Sequence, residues 1–125
     1  MNFKRGDIVL CKVPMPSDEF REFKMRPGLV VSKNMNNQRL NDVIIAICTS
    51  NISSRQEPTQ YLIEGEEIIQ AGIKVPSVVK CETLLTINKT MIMKILGSLS
   101  QKAMDKIKVC LTDSLALELS KVNEH

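Results

Sequence analysis

The sequence is poor in aromatic side chains, with no tryptophan and an aromatic content of only 3% over 125 residues. Domains that bind single-stranded nucleic acid by stacking several bases present a set of exposed aromatic rings. The aromatic residues of this sequence are Phe3, Phe20, Phe23 and Tyr61. The sequence therefore argues against a platform that stacks several bases.

The sequence also lacks a cluster of metal ligands. Its only histidine is His125, and the four cysteines, Cys11, Cys48, Cys81 and Cys110, are far apart with no Cys-x-x-Cys pair. A structural zinc site needs four clustered ligands, so this spacing predicts no metal site. Because each cysteine lies in an apolar stretch, we expect buried, reduced thiols and a reducing compartment.

Long apolar runs are missing as well. None approaches the roughly 18 residues that cross a membrane, and residues 1–7 lack the apolar stretch of a signal peptide. We therefore expect a cytoplasmic protein with no membrane association. Hydrophobic residues make up 43% and charged residues 25% of the chain, as in folded globular proteins. Its length is within the size of one domain, so residues 1–125 are expected to form a single domain.

The charge of the chain is small and unevenly distributed. The net charge is +3, residues 1–40 hold eight Lys and Arg against four Asp and Glu, and residues 54–70 hold one Arg against four Glu. The basic surplus therefore lies near the first loop and in the C-terminal half. Such a distribution permits a polyanionic ligand without requiring one.

Several runs of apolar and β-branched residues are bounded by residues that interrupt strands, such as proline. This pattern predicts a mainly β protein. Residues 7–13 end at Pro14, and residues 28–32 follow Pro27. Residues 42–49 are almost entirely apolar, which is typical of a short, central, buried strand. Weaker strands are predicted at residues 60–63, 77–81, 84–87 and 92–96, with turns at residues 64–66 and at Asn88.

After Gly97 the pattern changes from strand to helix. Apolar residues recur at spacings of three and four at Met104, Ile107, Leu111, Leu115 and Leu119. This spacing predicts an amphipathic helix of about five turns, with Ser100 placed to cap its N-terminus. Strands that are followed by one helix indicate a small twisted sheet or barrel with the helix packed against it.

Several short blocks follow one another along the chain in a recognisable order. The first are residues 3–9 (Phe-Lys-Arg-Gly-Asp-Ile-Val), 24–27 (Lys-Met-Arg-Pro), 30–32 and 47–50 (Ile-Cys-Thr-Ser). Further blocks lie at residues 77–79, 82, 86–89, 96–99, 104 and 114–117. In this order and spacing, the sequence resembles the MazF/PemK family of growth-inhibitor toxins over nearly its whole length.

The resemblance implies a fold and a function together. The fold is mainly β with helices, a small SH3-like barrel of the CcdB/MazF type with a C-terminal α-helix, usually paired as a homodimer. The function is that of a type II toxin that cleaves single-stranded RNA selectively and is bound by a cognate antitoxin. In this family the ribose 2′-hydroxyl attacks the adjacent phosphate, leaving a cyclic phosphate and a free 5′-hydroxyl, without a metal or other cofactor.

The resemblance assigns Arg26 and Thr49 to the catalytic site. Arg26 follows a loop at the start of a strand, where a guanidinium can present a fork of donors to phosphate oxygens. Because a guanidinium stays protonated, we favour charge stabilisation over proton abstraction for this residue. Thr49 ends the buried strand, where its hydroxyl can leave the core and donate to a phosphate oxygen. Without the resemblance, both would be interpreted as ordinary strand-end residues.

Three further residues are candidates for substrate binding. Lys24 can make a second phosphate contact, Ser50 offers the same chemistry as Thr49, and Phe20, or alternatively Phe23, can stack on one base. Phe20 belongs to the loop at residues 16–24, where family members often carry a glycine-containing lid over the substrate groove. This loop lacks those glycines and carries three acidic side chains that would repel RNA. Its role therefore stays open.

A second departure from the family lies at residues 82–86. Related sequences often carry Gln and Arg where this chain has Thr83 and Leu85. A polar and a basic contact are thereby in doubt, which is compatible with weaker catalysis or with a shifted sequence preference.

Three functions remain open from the sequence. The first is the RNA-cleaving toxin, which the pair Arg26 and Thr49 favours. The second is a weak or inactive family member that acts as a protein-binding module. The third is a gyrase poison of the CcdB type, which shares the barrel, although residues 121–125 contain no Phe, Tyr or Trp for an aromatic plug.

Overall fold

The computed structural model describes residues 2–14, 23–52 and 57–118. Its strands are β1 (Asp7–Pro14), β2 (Phe23–Val30), β3 (Asp42–Thr49), β4 (Gln60–Ile63), β5 (Ser77–Asn88) and β6 (Ile92–Ser98). Its helices are α1 (Asn34–Arg39), α2 (Glu67–Ala71) and α3 (Gln101–Ser114), with a 3₁₀ turn at Lys89–Met91. The predicted mainly β fold with a C-terminal helix is confirmed. None of the helices described in these ranges is long and apolar enough to cross a membrane.

The six strands form one antiparallel sheet in the order β4-β5-β3-β2-β1-β6. The apolar run at Asp42–Thr49 pairs with β5 on one side and with β2 on the other. Its prediction as a central strand is therefore confirmed, with the same bounds. The first and last strands of the sheet, β4 and β6, are separated by four strands.

Two glycines bring the far ends of the sheet together. α2 follows β4 at one edge and contacts β6 at the other. A Cβ added at Gly72 would lie 1.9 Å from the Leu96 carbonyl oxygen, and one added at Gly97 would lie 2.3 Å from that of Gln70. Because only glycine permits these backbones to approach so closely, the sheet curls into a barrel that α2 closes.

The core has two parts, one on each face of the sheet. One part packs under α3, which buries Ala103, Met104, Ile107 and Cys110. The strands contribute Ile8, Leu29, Ala46, Cys48, Ile63, Val79 and Cys81 to this part. The other part consists of Phe3, Val9, Cys11, Val30, Val43, Ile45, Ile87 and Ile92. Burial on both faces explains why the strands carry nearly continuous apolar runs.

β2 begins earlier than the sequence predicts. We expected Pro27 to bound a strand at residues 28–32, whereas β2 runs from Phe23 to Val30 and Pro27 pairs with Leu10 of β1. Pairing between β2 and β3 starts only at Gly28. At Pro27 the strand is therefore an edge on its β3 side, where a missing N–H breaks no hydrogen bond.

β5 is one strand of 12 residues instead of the two predicted at 77–81 and 84–87. The polar interruption at Glu82 and Thr83 coincides with a register shift. Ile47 of β3 pairs with Lys80, but Ala46 pairs with Leu84. The extra residues of β5 form a bulge, which breaks the apolar pattern without ending the strand.

The C-terminal helix starts as predicted and ends sooner. Ser100 caps α3, since its Oγ accepts a hydrogen bond of 3.1 Å from the Ala103 N–H. The helix stops at Ser114, and Leu115 is exposed instead of continuing the apolar face. The predicted five turns are therefore wrong. Leu119 lies outside the described residues.

α1 and α2 were not predicted, because five or six residues are too few to show a helical period. α1 is held by a buried side chain, since Asn37 Nδ2 donates to the Ser32 carbonyl at 3.0 Å and its Oδ1 contacts Ser32 Oγ. α2 is tied to β4 by Tyr61, whose hydroxyl donates to the Glu67 carboxylate at 2.7 and 2.8 Å. The predicted turn before α2 is present, with Gly65 at a φ of 64°.

Candidate active site

Arg26 and Thr49 both lie at the end of the sheet where β2 and β3 separate. The last pair between these strands is Gly28 with Ile47, and each candidate lies two residues outside it. Residues two apart on a strand face the same side of the sheet. Arg26 and Thr49 therefore project to one side at the end of the sheet, from neighbouring strands.

The hydroxyl of Thr49 is already oriented by the backbone that follows. Its Oγ1 accepts a hydrogen bond of 3.1 Å from the Asn51 N–H. Since a hydroxyl has one proton to donate, its own O–H stays available for a phosphate oxygen. Thr49 lines a small pocket of about 120 Å³ with Asn51, Gln60, Val78 and Lys80.

Arg26 lies next to a larger pocket of about 390 Å³. Its carbonyl accepts a hydrogen bond of 3.4 Å from the Cys11 thiol, which ties this part of β2 to β1. Its side chain is only partly buried. Ser50 also lines this pocket, and Thr49 does not. The two predicted catalytic residues thus border different pockets.

The other candidates are placed less centrally. Lys24 is an exposed residue of β2, paired with Val13, and it lines neither of the two pockets. With Phe23 it belongs to the strand, so the loop predicted at residues 16–24 ends earlier. Phe20 lies outside the described residues.

A carboxylate organises the polar side chains near Thr49. Glu82 accepts hydrogen bonds from Gln60 Nε2 at 2.6 Å and from Thr59 Oγ1 at 3.1 Å. Partial burial acts to raise the pKa of Glu82, but these bonds and the nearby Lys80 lower it overall. The carboxylate therefore stays charged and holds the Gln60 amide at the wall of the small pocket.

Residues 4–115 match the family described as the PemK-like, MazF-like toxin of type II toxin-antitoxin systems. The chain belongs to this toxin family. The resemblance found in the sequence is thereby confirmed.

Individual relatives agree with this membership. Endoribonuclease EndoA of Bacillus subtilis (strain 168) is 30% identical over 118 residues, covering 94% of this chain and 97% of that protein. An endoribonuclease from a mycobacterial species has the same fold, with a TM-score of 0.74, 22% identity and coverage of 96% and 97% of the two chains. A MazE–MazF structure from Deinococcus radiodurans gives a TM-score of 0.73, 15% identity and coverage of 94% and 99%.

Sequence reasoning did not single out four polar residues that line the two pockets of this toxin. Lys74 and Lys94 line the larger pocket, and Gln60 and Lys80 line the smaller one. They come from β4, from β5, from β6 and from the segment between α2 and β5. No local pattern marks them, because residues so far apart in the sequence are brought together only by the curl of the sheet.

The cysteines of the toxin are inert core residues. All four are buried and free, as the sequence predicts. Burial raises the pKa of Cys11 to about 11 and those of Cys48 and Cys81 to about 12. Within residues 2–14, 23–52 and 57–118, no group of three or more His, Cys, Asp or Glu side chains is placed to hold a metal ion.

Proposed function

We propose that this toxin is an endoribonuclease that cleaves single-stranded RNA at a site formed by Arg26 and Thr49. The observation that carries the proposal is their placement two residues outside the Gly28 and Ile47 pair, on the same side of the sheet. A guanidinium and a hydroxyl in this arrangement can contact different oxygens of one phosphate.

The chemistry is an attack by the ribose 2′-hydroxyl oxygen on the adjacent phosphorus. A bond forms from O2′ to phosphorus and the bond from phosphorus to O5′ breaks, giving a cyclic phosphate and a 5′-hydroxyl. The 2′-hydroxyl loses a proton and the leaving oxygen gains one. The phosphate carries additional negative charge in between, and Arg26 and Thr49 stabilise that charge through donors fixed in advance.

Lys24, Ser50 and Phe20 act in substrate binding in this proposal. Lys24 is exposed and lies two residues before Arg26, so both project to the same side of β2. Ser50 follows Thr49 and lines the larger pocket. These residues extend the contact surface along the RNA on either side of the cleaved phosphate.

The partners proposed for this toxin are a cognate antitoxin and a second copy of the chain. A related mycobacterial endoribonuclease, with a TM-score of 0.71 and 22% identity, was determined in complex with its cognate antitoxin. An antitoxin is also a functional requirement, because unrestrained RNA cleavage would stop the growth of the host. Such a toxin acts where messenger RNA is translated, so we place it in the cytoplasm.

Incubation of the purified toxin with a long RNA in excess EDTA tests this proposal. We expect discrete fragments whose 5′ ends are labelled by polynucleotide kinase without prior dephosphorylation, because the reaction leaves 5′-hydroxyls. We expect cleavage to persist in EDTA, because Arg26 and Thr49 supply the stabilising charge and hydrogen bond. Fragments with 5′-phosphates, or cleavage only after magnesium is added, would show a different mechanism.

A further inference from the structure

The larger pocket carries positive charges in addition to that of Arg26. Lys74 and Lys94 line it together with Arg26, and no carboxylate lines it. Among the residues that the structure describes, Lys74 and Lys94 make no ion pair and both are exposed. Their charges are available to a ligand.

The two lysines reach the pocket from two different segments, Lys94 from β6 and Lys74 from the segment between α2 and β5. Lys94 of β6 pairs with Leu10 of β1, and Leu10 pairs with Pro27 of β2. In this row of paired residues, Lys94 lies two strand spacings, about 10 Å, from Pro27, which is the residue next to Arg26.

Lys74 lies on the segment that follows α2. It follows Gly72 by two residues, and Gly72 is locked against Leu96 of β6. Gly72 also ends α2 in the left-handed conformation, with a φ of 72° and hydrogen bonds to the carbonyls of Ile68 and Ile69. The segment that carries Lys74 is therefore built into the wall of the barrel.

The remaining lining suits a nucleotide. Ser50 offers a hydroxyl, whereas the Ser77 hydroxyl donates to the Val75 carbonyl at 3.1 Å. Leu10, Pro27, Ile73 and Leu96 form apolar walls. A volume of about 390 Å³ is within the range of pockets that hold small ligands. A nucleotide has a charged phosphate and a less polar base and ribose. The lysines can bind the phosphate, and the apolar walls can contact the base or the ribose.

We propose that Lys74 and Lys94 form a subsite for the nucleotide and phosphate next to the cleaved bond of the RNA. The inference rests on the proposed function, because Arg26 connects the two sites. An RNA strand that is cut at Arg26 and Thr49 continues past Arg26, around the end of the sheet, into this pocket. The lysines position the substrate and take no part in bond breaking.

The loss of a lysine that only positions the substrate has a defined effect on the salt dependence of binding, on KM and on kcat. Each phosphate contact made by a lysine releases counterions, and its loss lowers the slope of log affinity against log salt by about 0.7 for a single strand. Such a contact exists before and during the reaction, so its loss raises KM and leaves kcat unchanged. At low salt we expect roughly a fivefold rise in KM for each lysine, equivalent to one exposed charge contact.

The test compares Lys74→Ala, Lys94→Ala and the double variant with the parent toxin. Lys106→Ala is the matched control, since Lys106 is an exposed lysine of α3 that does not line the pocket. Lys94→Arg keeps the charge, so this variant should bind RNA nearly as tightly as the parent toxin. Cleavage kinetics are measured on RNA, and binding is measured over a salt series with a pool of uncleavable 2′-O-methyl RNA.

The outcomes separate this inference from the proposed function. Weaker binding and a lower salt slope in the lysine variants, but not in Lys106→Ala, support the subsite even if the parent toxin cuts no RNA. Unchanged binding in variants of an active toxin overturns the subsite and leaves the endoribonuclease in place. If the variants cut RNA normally but escape inhibition by the antitoxin, the pocket binds an acidic protein segment instead, and the RNA subsite is wrong.

Discussion

Arg26 and Thr49 occupy matching positions on neighbouring strands, each two residues outside the pair at which the β2–β3 ladder ends. One residue supplies a charged fork of donors and the other a single hydroxyl whose oxygen is already engaged by the backbone. Because they contact a phosphate through different chemistry, their substitutions should have different effects.

Replacement of Arg26 should cause the larger loss. Arg26→Ala removes a full charge and a bidentate donor, so we expect the single-turnover cleavage rate to fall by about 10² to 10³. Arg26→Lys should restore little, since a point charge does not reproduce the planar fork. Circular dichroism and thermal melting check that both variants fold. A folded Arg26→Ala variant that cuts RNA at the parent rate would remove this residue from the site.

Replacement of Thr49 should cause a smaller loss that depends on the hydroxyl. Thr49→Val keeps the shape and the strand preference, so the fold should survive while the rate falls roughly tenfold, about one modest hydrogen bond. Thr49→Ser retains the hydroxyl and should stay near the parent rate. The same assay measures both variants. Equal losses in the two would mean that the side-chain methyl, and not the hydroxyl, matters.

The closure of the barrel predicts a large difference between two glycines with the same backbone conformation. Gly65 and Gly72 have φ angles of 64° and 72°, but only Gly72 faces another backbone. Gly65→Ala should cost about 1–2 kcal/mol for a left-handed alanine. Gly72→Ala should cost about 1–3 kcal/mol more, because its Cβ would overlap the Leu96 carbonyl. Urea unfolding of both variants measures this difference, and equal losses would contradict the observed packing.

The buried thiols predict a loss of stability at alkaline pH. Burial raises the pKa of Cys48 from an ordinary 9.0 to about 12. Below pH 9 the thiol is protonated in both states and its effect on stability is constant. Between pH 9 and 12 the unfolded chain releases the proton more readily, so the free energy of unfolding falls by up to about 1.4 kcal/mol per pH unit for such a group.

Urea unfolding at pH 8 and at pH 10.5 measures this loss. Cys48→Ala is the comparison, since it removes the thiol and should lose less stability over the same interval. A free energy of unfolding that is equal at the two pH values in the parent toxin would show that the thiols titrate normally.

Much of the local structure could be predicted from the sequence alone. The apolar run at Asp42–Thr49, the cap at Ser100 and the turn at Gly65 depend on residues close together in the chain, and all three are present. The family likeness named Arg26 and Thr49 as the catalytic pair, and their roles stay predictions. The end of α3 was less predictable, because Leu115 continues the apolar spacing although the helix has already stopped.

The sequence by itself determined where apolar and polar residues alternate, and therefore which segments can be strands and which can be a helix. Tertiary structure alone decided how these segments meet. Pro27 is accepted within β2 because β3 has ended beside it, and Lys74 and Lys94 share a pocket because Gly72 packs against Leu96. Such contacts depend on the twist and curl of the whole sheet, a property of all the strands together that no local pattern of residues records.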